Sequence, residues 1–321
     1  MTVRVAVVGC GHFGRYHAQK YAALPDADLV AVVDTNPAAA ARVAQEVGSF
    51  AVARLEDVIE RIDAASVAVP TRYHHAVASR LLDAGKHVLI EKPLASTREE
   101  GEALVALAKA KGCLLQVGHL ERFNAAILAL QDVIAEPLFI ESHRLGGFNP
   151  GRGTDVSIVL DLMIHDIDLI QEFVGRPLAK VDAVGVAVLT DQDDIANARL
   201  EFEGGCTVNV TASRVSMTPQ RRMRIFQHDA YIAIDFQTRE ATIARRGLGK
   251  PLPMLPGIGV EERQFEPNDA LMLEIQSFLD AIGGKSAVTV SGEAGLRALD
   301  TALRITEALR RPGLPPAARA S

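Results

Sequence analysis

Over the first 118 residues, short and almost wholly apolar runs alternate with longer stretches of helical periodicity. Runs that lack a polar face are typical of parallel strands covered by helices on both sides. The pattern therefore predicts an α/β domain with a doubly wound parallel sheet over residues 1–118. The strand runs lie at 3–8, 29–33, 66–69, 87–90 and 114–117, and the clearest helical stretches lie at 73–84 and 97–111.

From about Pro137 onward the pattern changes, because polar and apolar residues now alternate along longer runs. The turn Glu203-Gly204-Gly205 separates two such runs, which predicts a hairpin with one packed face. We expect residues 119–311 to form an α+β domain with a large, open, mostly antiparallel sheet. Its strands are predicted at 198–203, 206–213, 222–227, 231–236 and 241–245, and its helices at 155–174, 269–282 and 292–309.

Two segments fall outside these elements, and the sheet itself has a consequence for assembly. Residues 247–259 are rich in Gly and Pro, which predicts a mobile loop. Residues 312–321 are predicted to be a disordered tail. An open sheet leaves a face and edges that need covering, so we expect a homo-oligomer.

Length and composition exclude several classes of protein. The chain has 321 residues, of which 48% are hydrophobic and 23% charged, as in a soluble globular protein with two domains. A net charge of −6 argues against nucleic acid and anionic membranes as partners. No apolar run is long enough to span a membrane and no signal sequence is present, so a cytoplasmic location is expected. The three cysteines have no metal-ligand spacing, and no metal is predicted.

A glycine-rich loop, Gly9-Cys10-Gly11-His12-Phe13-Gly14, connects the first predicted strand to a helix. Gly9 permits the tight turn, Gly11 lets a pyrophosphate approach the backbone, and Gly14 lets the helix pack against the strand. The N–H groups at the start of that helix then face the phosphates. The loop predicts a dinucleotide site.

Asp34 stands twenty residues after the last of these glycines, at the end of the second predicted strand. A carboxylate there accepts hydrogen bonds from the ribose hydroxyls and repels a 2′-phosphate. Thr35-Asn36-Pro37 contains no basic residue to receive such a phosphate. The sequence therefore favours NAD over NADP. The alternative is that Asp34 is a loop cap before a helix beginning at Pro37.

Two further groups of polar residues follow predicted parallel strands. Pro70, Thr71 and His74 come after one strand, and Glu91-Lys92-Pro93 comes after the next. Ligands of doubly wound sheets bind at the carboxyl ends of the strands, so we expect these residues to bind the cofactor. Lys92 is expected to project into the same crevice, because the proline that follows it ends the strand.

The helix predicted at 155–174 carries polar residues on an otherwise apolar surface. At 100° per residue, Asp161, His165 and Asp168 fall within about 60° of one another. A carboxylate beside an imidazole suits acid–base chemistry on a substrate hydroxyl. Two alternatives stay open: a satisfied buried polar pair, or a metal site that includes Asp168.

The ordered set of the glycine loop with His17, Asp34, Pro70 and His74, Glu91-Lys92-Pro93, and Asp161-x-x-x-His165 resembles the Gfo/Idh/MocA family. The resemblance covers nearly the whole chain. It implies a Rossmann domain, a C-terminal domain with a large open sheet, and NAD(P)-dependent oxidation or reduction of sugars and related alcohols. Lys92 matches the catalytic lysine of the family, and Asp161 and His165 match its substrate-side acid and histidine.

A mechanism follows from these roles. A sugar hydroxyl between Lys92 and His165 loses its proton as hydride passes from the same carbon to the nicotinamide. Lys92, partly desolvated near a cationic nicotinamide, is expected to have a lowered pKa. His165 is the other candidate base, with Asp161 orienting it.

Two segments, 118–124 and 147–152, resemble a subgroup of the family that oxidises the 3-hydroxyl of UDP-N-acetylglucosamine. Arginine suits a diphosphate, so Arg122, Arg144 and Arg152 are candidates for contacts with the UDP group. The predicted substrate-binding residues are Arg122, Asn149, Arg152, Asp161 and His165. Three alternatives stay open: a dehydrogenase of a free sugar or cyclitol, a catalytically silent cofactor-sensing regulator, and a nicotinamide-dependent glycosidase.

Overall fold

The computed structural model describes residues 2–149, 157–247, 250–252 and 255–309. The chain divides into two compact units. The first contains Met1–Phe123 and Asp269–Leu299, and the second contains Asn124–Asn268 and the chain from Asp300 onward.

The first unit is built on a six-stranded sheet whose neighbouring strands are all parallel. Its strands are β1 (Val3–Val8), β2 (Ala27–Val33), β3 (Phe50–Val52), β4 (Ala64–Val67), β5 (His87–Glu91) and β6 (Leu115–Gly118). The order β3-β2-β1-β4-β5-β6 is that of the Rossmann fold, in which the direction of winding reverses between β1 and β4. The predicted doubly wound parallel sheet is confirmed.

Helices connect these strands, as their apolar periodicity predicts. The helices are α1 (His12–Ala23), α2 (Pro37–Val47), α3 (His74–Asp83) and α4 (Arg98–Lys111). Short 3₁₀ turns lie at Leu55–Asp57, Ile59–Arg61, Thr71–Tyr73 and Leu120–Phe123.

The first unit also contains a helix from far along the chain, α7 (Ala270–Ile282). Phe278 and Ile275 of α7 are fully buried in one apolar cluster with Tyr21 of α1 and Val43 of α2. Burial of this apolar face fixes α7 on the first unit. The division therefore differs from the predicted boundary at residue 118, because 269–299 returns to the first unit.

The second unit contains a nine-stranded sheet in the order β14-β15-β13-β12-β11-β7-β10-β9-β8. Only β7 and β10 are parallel neighbours among the described strands, and the others run antiparallel, so the predicted mostly antiparallel sheet is confirmed. Its strands are β7 (Phe139–Leu145), β8 (Leu178–Val186), β9 (Ile195–Phe202), β10 (Thr207–Ser213), β11 (Gln220–Phe226), β12 (Ala230–Asp235), β13 (Glu240–Arg246), β14 (Lys250–Leu252) and β15 (Leu255–Gln264).

In the second unit, α5 (Ala125–Leu130) comes before β7, and α6 (Ile164–Val174) comes between β7 and β8. The last helix, α8 (Gly292–Leu309), belongs to the first unit up to Leu299 and to the second unit from Asp300. A π-helical turn, Val159–Met163, leads directly into α6. Among the helices of the described residues, none is long and apolar enough to cross a membrane.

The prediction of a loop over 247–259 is wrong for its described residues, since most of them belong to β14 and β15. The prediction rested on the Gly and Pro content of the segment, but proline is compatible with an edge strand. Pro251 lies in β14, the edge strand of the sheet, where a missing N–H donor is tolerated. The predicted tail, 312–321, lies outside the described residues.

Candidate active site

The glycine-rich loop begins directly after β1, and two of its glycines are required by the fold itself. Gly9 has a φ of +100°, and a Cβ there would lie 2.6 Å from the carbonyl oxygen of Ala68. A Cβ at Gly14 would overlap the carbonyl of Gly9. Both positions must be glycine so that α1 can pack against the ends of β1 and β4.

The third glycine, Gly11, has a different reason. A Cβ at Gly11 would meet no atom of the described residues within 4 Å, so packing does not demand glycine there. Gly11 is also the N-cap of α1, and no side chain of the described part of the chain caps that helix. By contrast, Asn36 caps α2 and Thr97 caps α4 with side-chain oxygens. The loop thus leaves backbone donors and space for an anion such as a pyrophosphate.

His12 and Phe13 lie in the first turn of α1, next to these donors. Their rings make an edge-on contact, with centroids 5.5 Å apart. The His12 ring also lies edge-on to Tyr16, at 4.9 Å. Both predicted cofactor residues are therefore on the solvent-facing side of the loop.

Asp34 follows β2 and is joined to the glycine-rich loop. Its Oδ2 accepts a hydrogen bond of 2.7 Å from the Cys10 backbone N–H, and its Oδ1 accepts one of 2.8 Å from Asn36 N–H. Asn36, and not Asp34, caps α2, because its Oδ1 accepts from Ala38 N–H. Each Asp34 oxygen keeps a further lone pair for a ribose hydroxyl.

The residues after β4 and β5 are held together by His74. Its Nδ1 lies 2.8 Å from the Pro93 carbonyl oxygen, and its Nε2 lies 2.9 Å from the Val69 carbonyl oxygen. Burial lowers the pKa of His74, although both carbonyl contacts act in the opposite direction. Because both ring nitrogens face backbone carbonyls, His74 joins the turns that follow β4 and β5, and its contact with the cofactor remains a prediction.

Glu91 ends β5, and Lys92 follows it with a cis peptide bond to Pro93. The Lys92 backbone N–H donates to Glu91 Oε2 over 3.3 Å. Gly118, at the end of β6, makes room for Glu91, since a Cβ there would lie 3.1 Å from Glu91 Oε2. The sheet thus brings Glu91 and Lys92 to the same edge as the glycine-rich loop.

In the second unit, Asp161 lies in the π-helical turn and His165 lies in the first turn of α6. Both side chains are half-buried, whereas Asp168 is buried. The π turn changes the angle between successive residues, so the 100° geometry of a regular α-helix does not describe this segment. Asp161 and His165 therefore remain partly accessible within one short segment, whereas Asp168 is buried.

Arg144 is not available to a diphosphate, which corrects the prediction made for it. Its Nε and Nη2 donate to the two carboxylate oxygens of Asp166 over 2.8 and 3.1 Å. The two side chains are only 6% and 3% exposed. This buried pair joins β7 to α6, one residue from His165.

The remaining predicted substrate residues lie in different places. Arg122 is in the first unit, 5% exposed, and it has partners within the protein. Asn149 is an exposed residue of the second unit. Arg152 lies outside the described residues. Their roles remain predictions.

Sequence reasoning did not assign a role to the buried groups behind Glu91. The Nε2 of His17 lies 2.9 Å from Glu91 Oε1, and its Nδ1 lies 3.1 Å from Ser66 Oγ. Glu274 of α7 lies in the same cluster: one of its carboxylate oxygens is within 4.8 Å of a ring nitrogen of His17 and of a carboxylate oxygen of Glu91. A signal existed for Glu274, because it is an acidic residue on the apolar face of a helix.

Together, the loop, Asp34 and the strand ends at the reversal of winding define a dinucleotide-binding protein of the Rossmann class. The chain matches the profile of an oxidoreductase family with an NAD-binding Rossmann fold over residues 3–119, and the Gfo/Idh/MocA C-terminal domain over 131–233. It is 40% identical over 308 residues to UDP-N-acetylglucosamine 3-dehydrogenase of Acidithiobacillus ferrooxidans, covering 96% of this chain and 97% of the relative. The chain belongs to the Gfo/Idh/MocA family of oxidoreductases.

The chain is also similar to a curated inositol dehydrogenase and to solved structures. Scyllo-inositol 2-dehydrogenase (NAD(+)) of Bacillus subtilis is 26% identical over 340 residues, covering 98% of this chain and 95% of that protein. The structure of the A. ferrooxidans enzyme, GnnA, matches with a TM-score of 0.91, 40% identity, and coverage of 97% of this chain and 100% of that chain. Levoglucosan dehydrogenase in complex with NADH matches with a TM-score of 0.84, 20% identity and coverage of 97% of each chain, and so shares the fold.

The comparisons confirm that the chain is an NAD-binding oxidoreductase, as predicted. The residues described above fit that cofactor: the open backbone donors of α1 suit its pyrophosphate and Asp34 suits its adenosine ribose.

Replacement of Asp34 tests the ribose contact. We expect Asp34→Ala to weaken NAD binding by about 1–3 kcal/mol, because hydrogen bonds to a charged acceptor are lost. The discrimination against NADP should decrease as well. Titration calorimetry with both nucleotides measures these effects, and Asp28→Ala, at the opposite end of β2, is the matched control. Tighter binding of NADP than of NAD by the unaltered protein would contradict the assignment.

Replacement of Arg144 tests the buried ion pair. We expect Arg144→Met to destabilise the protein by about 3–5 kcal/mol, because the Asp166 carboxylate is left buried without its charged partner. The double variant Arg144→Met/Asp166→Leu should recover most of this loss, since an apolar pair replaces the ions. Urea unfolding measures both.

The control for this pair is Arg224→Met. Arg224 on β11 pairs with Glu141 at an exposed position of the same sheet, and exposed pairs contribute about 0–1 kcal/mol. Equal destabilisation by Arg144→Met and Arg224→Met would show that burial of the Arg144 pair carries no special weight.

Proposed function

We propose that this protein oxidises the 3-hydroxyl of UDP-N-acetylglucosamine to the 3-keto sugar, with NAD as the acceptor of the hydride. One observation carries the proposal: 40% identity across nearly the full length of both chains to an enzyme with that named activity. Relatives named for inositol that match over 89% or more of this chain are 26–28% identical.

Bound NAD supplies the electrophilic nicotinamide carbon that takes a hydride. The residues of the chain then have to hold the sugar and remove the proton of its hydroxyl. Lys92 is one candidate for the base, because it follows a parallel strand at the edge where such folds bind ligands. His165 is the other, with Asp161 orienting it or holding a neighbouring hydroxyl.

Recognition of the UDP group is assigned to Arg122, Asn149 and Arg152. Guanidinium groups suit phosphate oxygens, and an amide suits a base or a hydroxyl. The burial of Arg122 restricts how it can reach a ligand, so Arg152 is the better candidate for a diphosphate contact. A homo-oligomer and a cytoplasmic location are part of the same proposal.

The second candidate is a dehydrogenase of a free cyclitol. It is supported by the match to scyllo-inositol 2-dehydrogenase over 98% of this chain. Such a substrate has no diphosphate, so it would give Arg122 and Arg152 no role.

A substrate comparison separates the two candidates. We expect NADH formation with UDP-N-acetylglucosamine and at least about 100-fold less, by kcat/KM, with free N-acetylglucosamine or scyllo-inositol, because binding of the remote UDP group positions the reacting carbon. Absorbance at the NADH band measures the rate, and mass spectrometry of the product identifies the loss of two hydrogens. Comparable turnover of the free sugar would contradict the nucleotide-sugar proposal.

The role of Lys92 has its own test. Lys92→Met keeps most of the side-chain length and removes the amine, so folding and NAD binding should persist. Turnover should decrease by about 100-fold or more, the scale of a lost acid–base group. His165→Ala should act in the same direction, and the double variant should lose less than the product of the two single losses if both residues serve one proton transfer.

Lys109→Met, on the exposed surface of α4, controls for the loss of a positive charge alone. Retention of more than about a tenth of wild-type turnover by Lys92→Met would remove Lys92 from the proton transfer.

A further inference from the structure

A line of hydrogen-bonding side chains crosses the interior of the first unit and ends at Glu91. The Tyr21 hydroxyl lies 2.8 Å from Ser66 Oγ, Ser66 Oγ lies 3.1 Å from His17 Nδ1, and His17 Nε2 lies 2.9 Å from Glu91 Oε1. Tyr21, Ser66 and His17 are each no more than 1% exposed. The same Glu91 carboxylate accepts the Lys92 backbone N–H through its other oxygen.

The donors of this line can all point the same way. When Tyr21 donates to Ser66 and Ser66 donates to Nδ1 of His17, the Nε2–H of His17 donates to Glu91. Burial keeps the Tyr21 hydroxyl protonated by raising its pKa. The carboxylate of Glu91 is then the final acceptor, and an ionised carboxylate satisfies every donor in the line.

The charges around Glu91 favour this arrangement. Burial raises the pKa of the Glu91 carboxyl, but the hydrogen bond from His17, together with the charge and the backbone N–H of Lys92, acts in the opposite direction and shifts it downward. The groups that interact with Glu91 are His17 from α1, His74 from α3 and Lys92 beside it, and Glu274 from α7 lies in the same cluster. Glu274 is the one acidic neighbour among these, and it opposes a second negative charge.

Coupling between two charges is reciprocal. If the ammonium group of Lys92 stabilises the ionised form of Glu91, the Glu91 carboxylate stabilises the ammonium form of Lys92 by the same free energy. The charge on Glu91 therefore affects how readily the Lys92 amine accepts or loses a proton. None of the predicted site roles uses this relation.

We propose that His17 is a positioning residue for the reaction, which holds Glu91 in its ionised form and through Glu91 sets the pH at which Lys92 exchanges its proton. The inference rests on the proposed function, in which Lys92 is a base. It adds His17 and Ser66 as groups that influence that base without touching the substrate.

The first experiment follows the Glu91 carboxyl directly and needs no substrate. Protein labelled with ¹³C at the glutamate side-chain carboxyl is titrated by NMR, with the Glu91 signal assigned from Glu91→Gln. We expect Glu91 to take up its proton below the ordinary glutamate value of about 4.3 in the wild type. In His17→Phe it should do so at least about three pH units higher, near neutrality, because a buried carboxylate loses its donor and then takes up its proton in the range where turnover is followed.

The second experiment follows turnover against pH with UDP-N-acetylglucosamine and saturating NAD. In Glu91→Gln we expect the acidic limb of log kcat to move to lower pH by about one unit or more, because Lys92 loses its anionic neighbour. His17→Phe should move the limb in the same direction. His17→Gln should restore it towards the wild-type position, since an amide can donate to Glu91 and accept from Ser66.

The matched control is His87→Gln. His87 begins β5, the strand that Glu91 ends, and accepts the Leu114 N–H through Nδ1. It should move neither the Glu91 titration nor the acidic limb. A lower kcat in the His17 variants with an unmoved limb would reduce His17 to a packing role and overturn the proposal.

The two experiments also separate this inference from the proposed function. If the wild type does not oxidise the UDP-sugar, the proposed function fails, and the NMR titration still decides whether His17 controls the charge on Glu91. An unchanged Glu91 titration in His17→Phe overturns the inference whatever the substrate. One equivalent of a metal ion bound tightly by the wild type and absent from His17→Phe would overturn it too, because His17 would then be a metal ligand.

Discussion

The close approach of α1 to the ends of β1 and β4 is the constraint on which the first unit depends. Gly9 and Gly14 have no room for a side chain, because their neighbours are backbone atoms that cannot move aside. This approach fixes the start of α1 at the point where the winding of the sheet reverses. The free donors of α1 and the carboxyl ends of β4 and β5 then lie along one edge of the sheet. The predicted cofactor residues are located at this edge.

The functional residues rest on buried polar contacts in both units. In the second unit, the Arg144–Asp166 pair is almost fully removed from water, and it ties α6 to β7 at the residue that follows His165. In the first unit, the line from Tyr21 to Glu91 lies behind Lys92. Buried charges are tolerated only where their partners are well placed. Such contacts therefore restrict the position of the backbone that carries the reactive groups.

Sequence patterns predicted the parts of the structure that are local in the chain. The glycine spacing, the strand ends at Asp34 and Lys92, and the helices at 270–282 and 292–309 depend on neighbouring residues, and the structure contains them. The packing of α7 in the first unit could not be predicted from local sequence patterns. Its contact with Tyr21 joins positions far apart in sequence, and an apolar helix face does not reveal its partner.

The same limit explains the errors in the second unit. Arg144 is a candidate for a diphosphate contact on the sequence alone, because the sequence does not show that Asp166 lies opposite it. The strand β7, which lies in the middle of the sheet, was not predicted, although its buried and exposed positions alternate. At 247–259 the proline content outweighed the pairing with β13, which only the fold supplies.

Lys92 shows how local and distant contributions combine at one atom. A cationic nicotinamide nearby favours loss of the proton from its amine, which is the effect that the sequence alone suggested. In the mechanism we propose, the Glu91 carboxylate acts in the opposite direction, and the hydrogen bond from His17 stabilises its ionised form. If Lys92 is the base, these two influences act in opposite directions on the pKa of its amine and together bring it closer to the working pH than either one alone. On this proposal the position of α1, which the glycine-rich loop determines, bears on proton transfer as well as on cofactor binding, since α1 carries His17 three residues after Gly14.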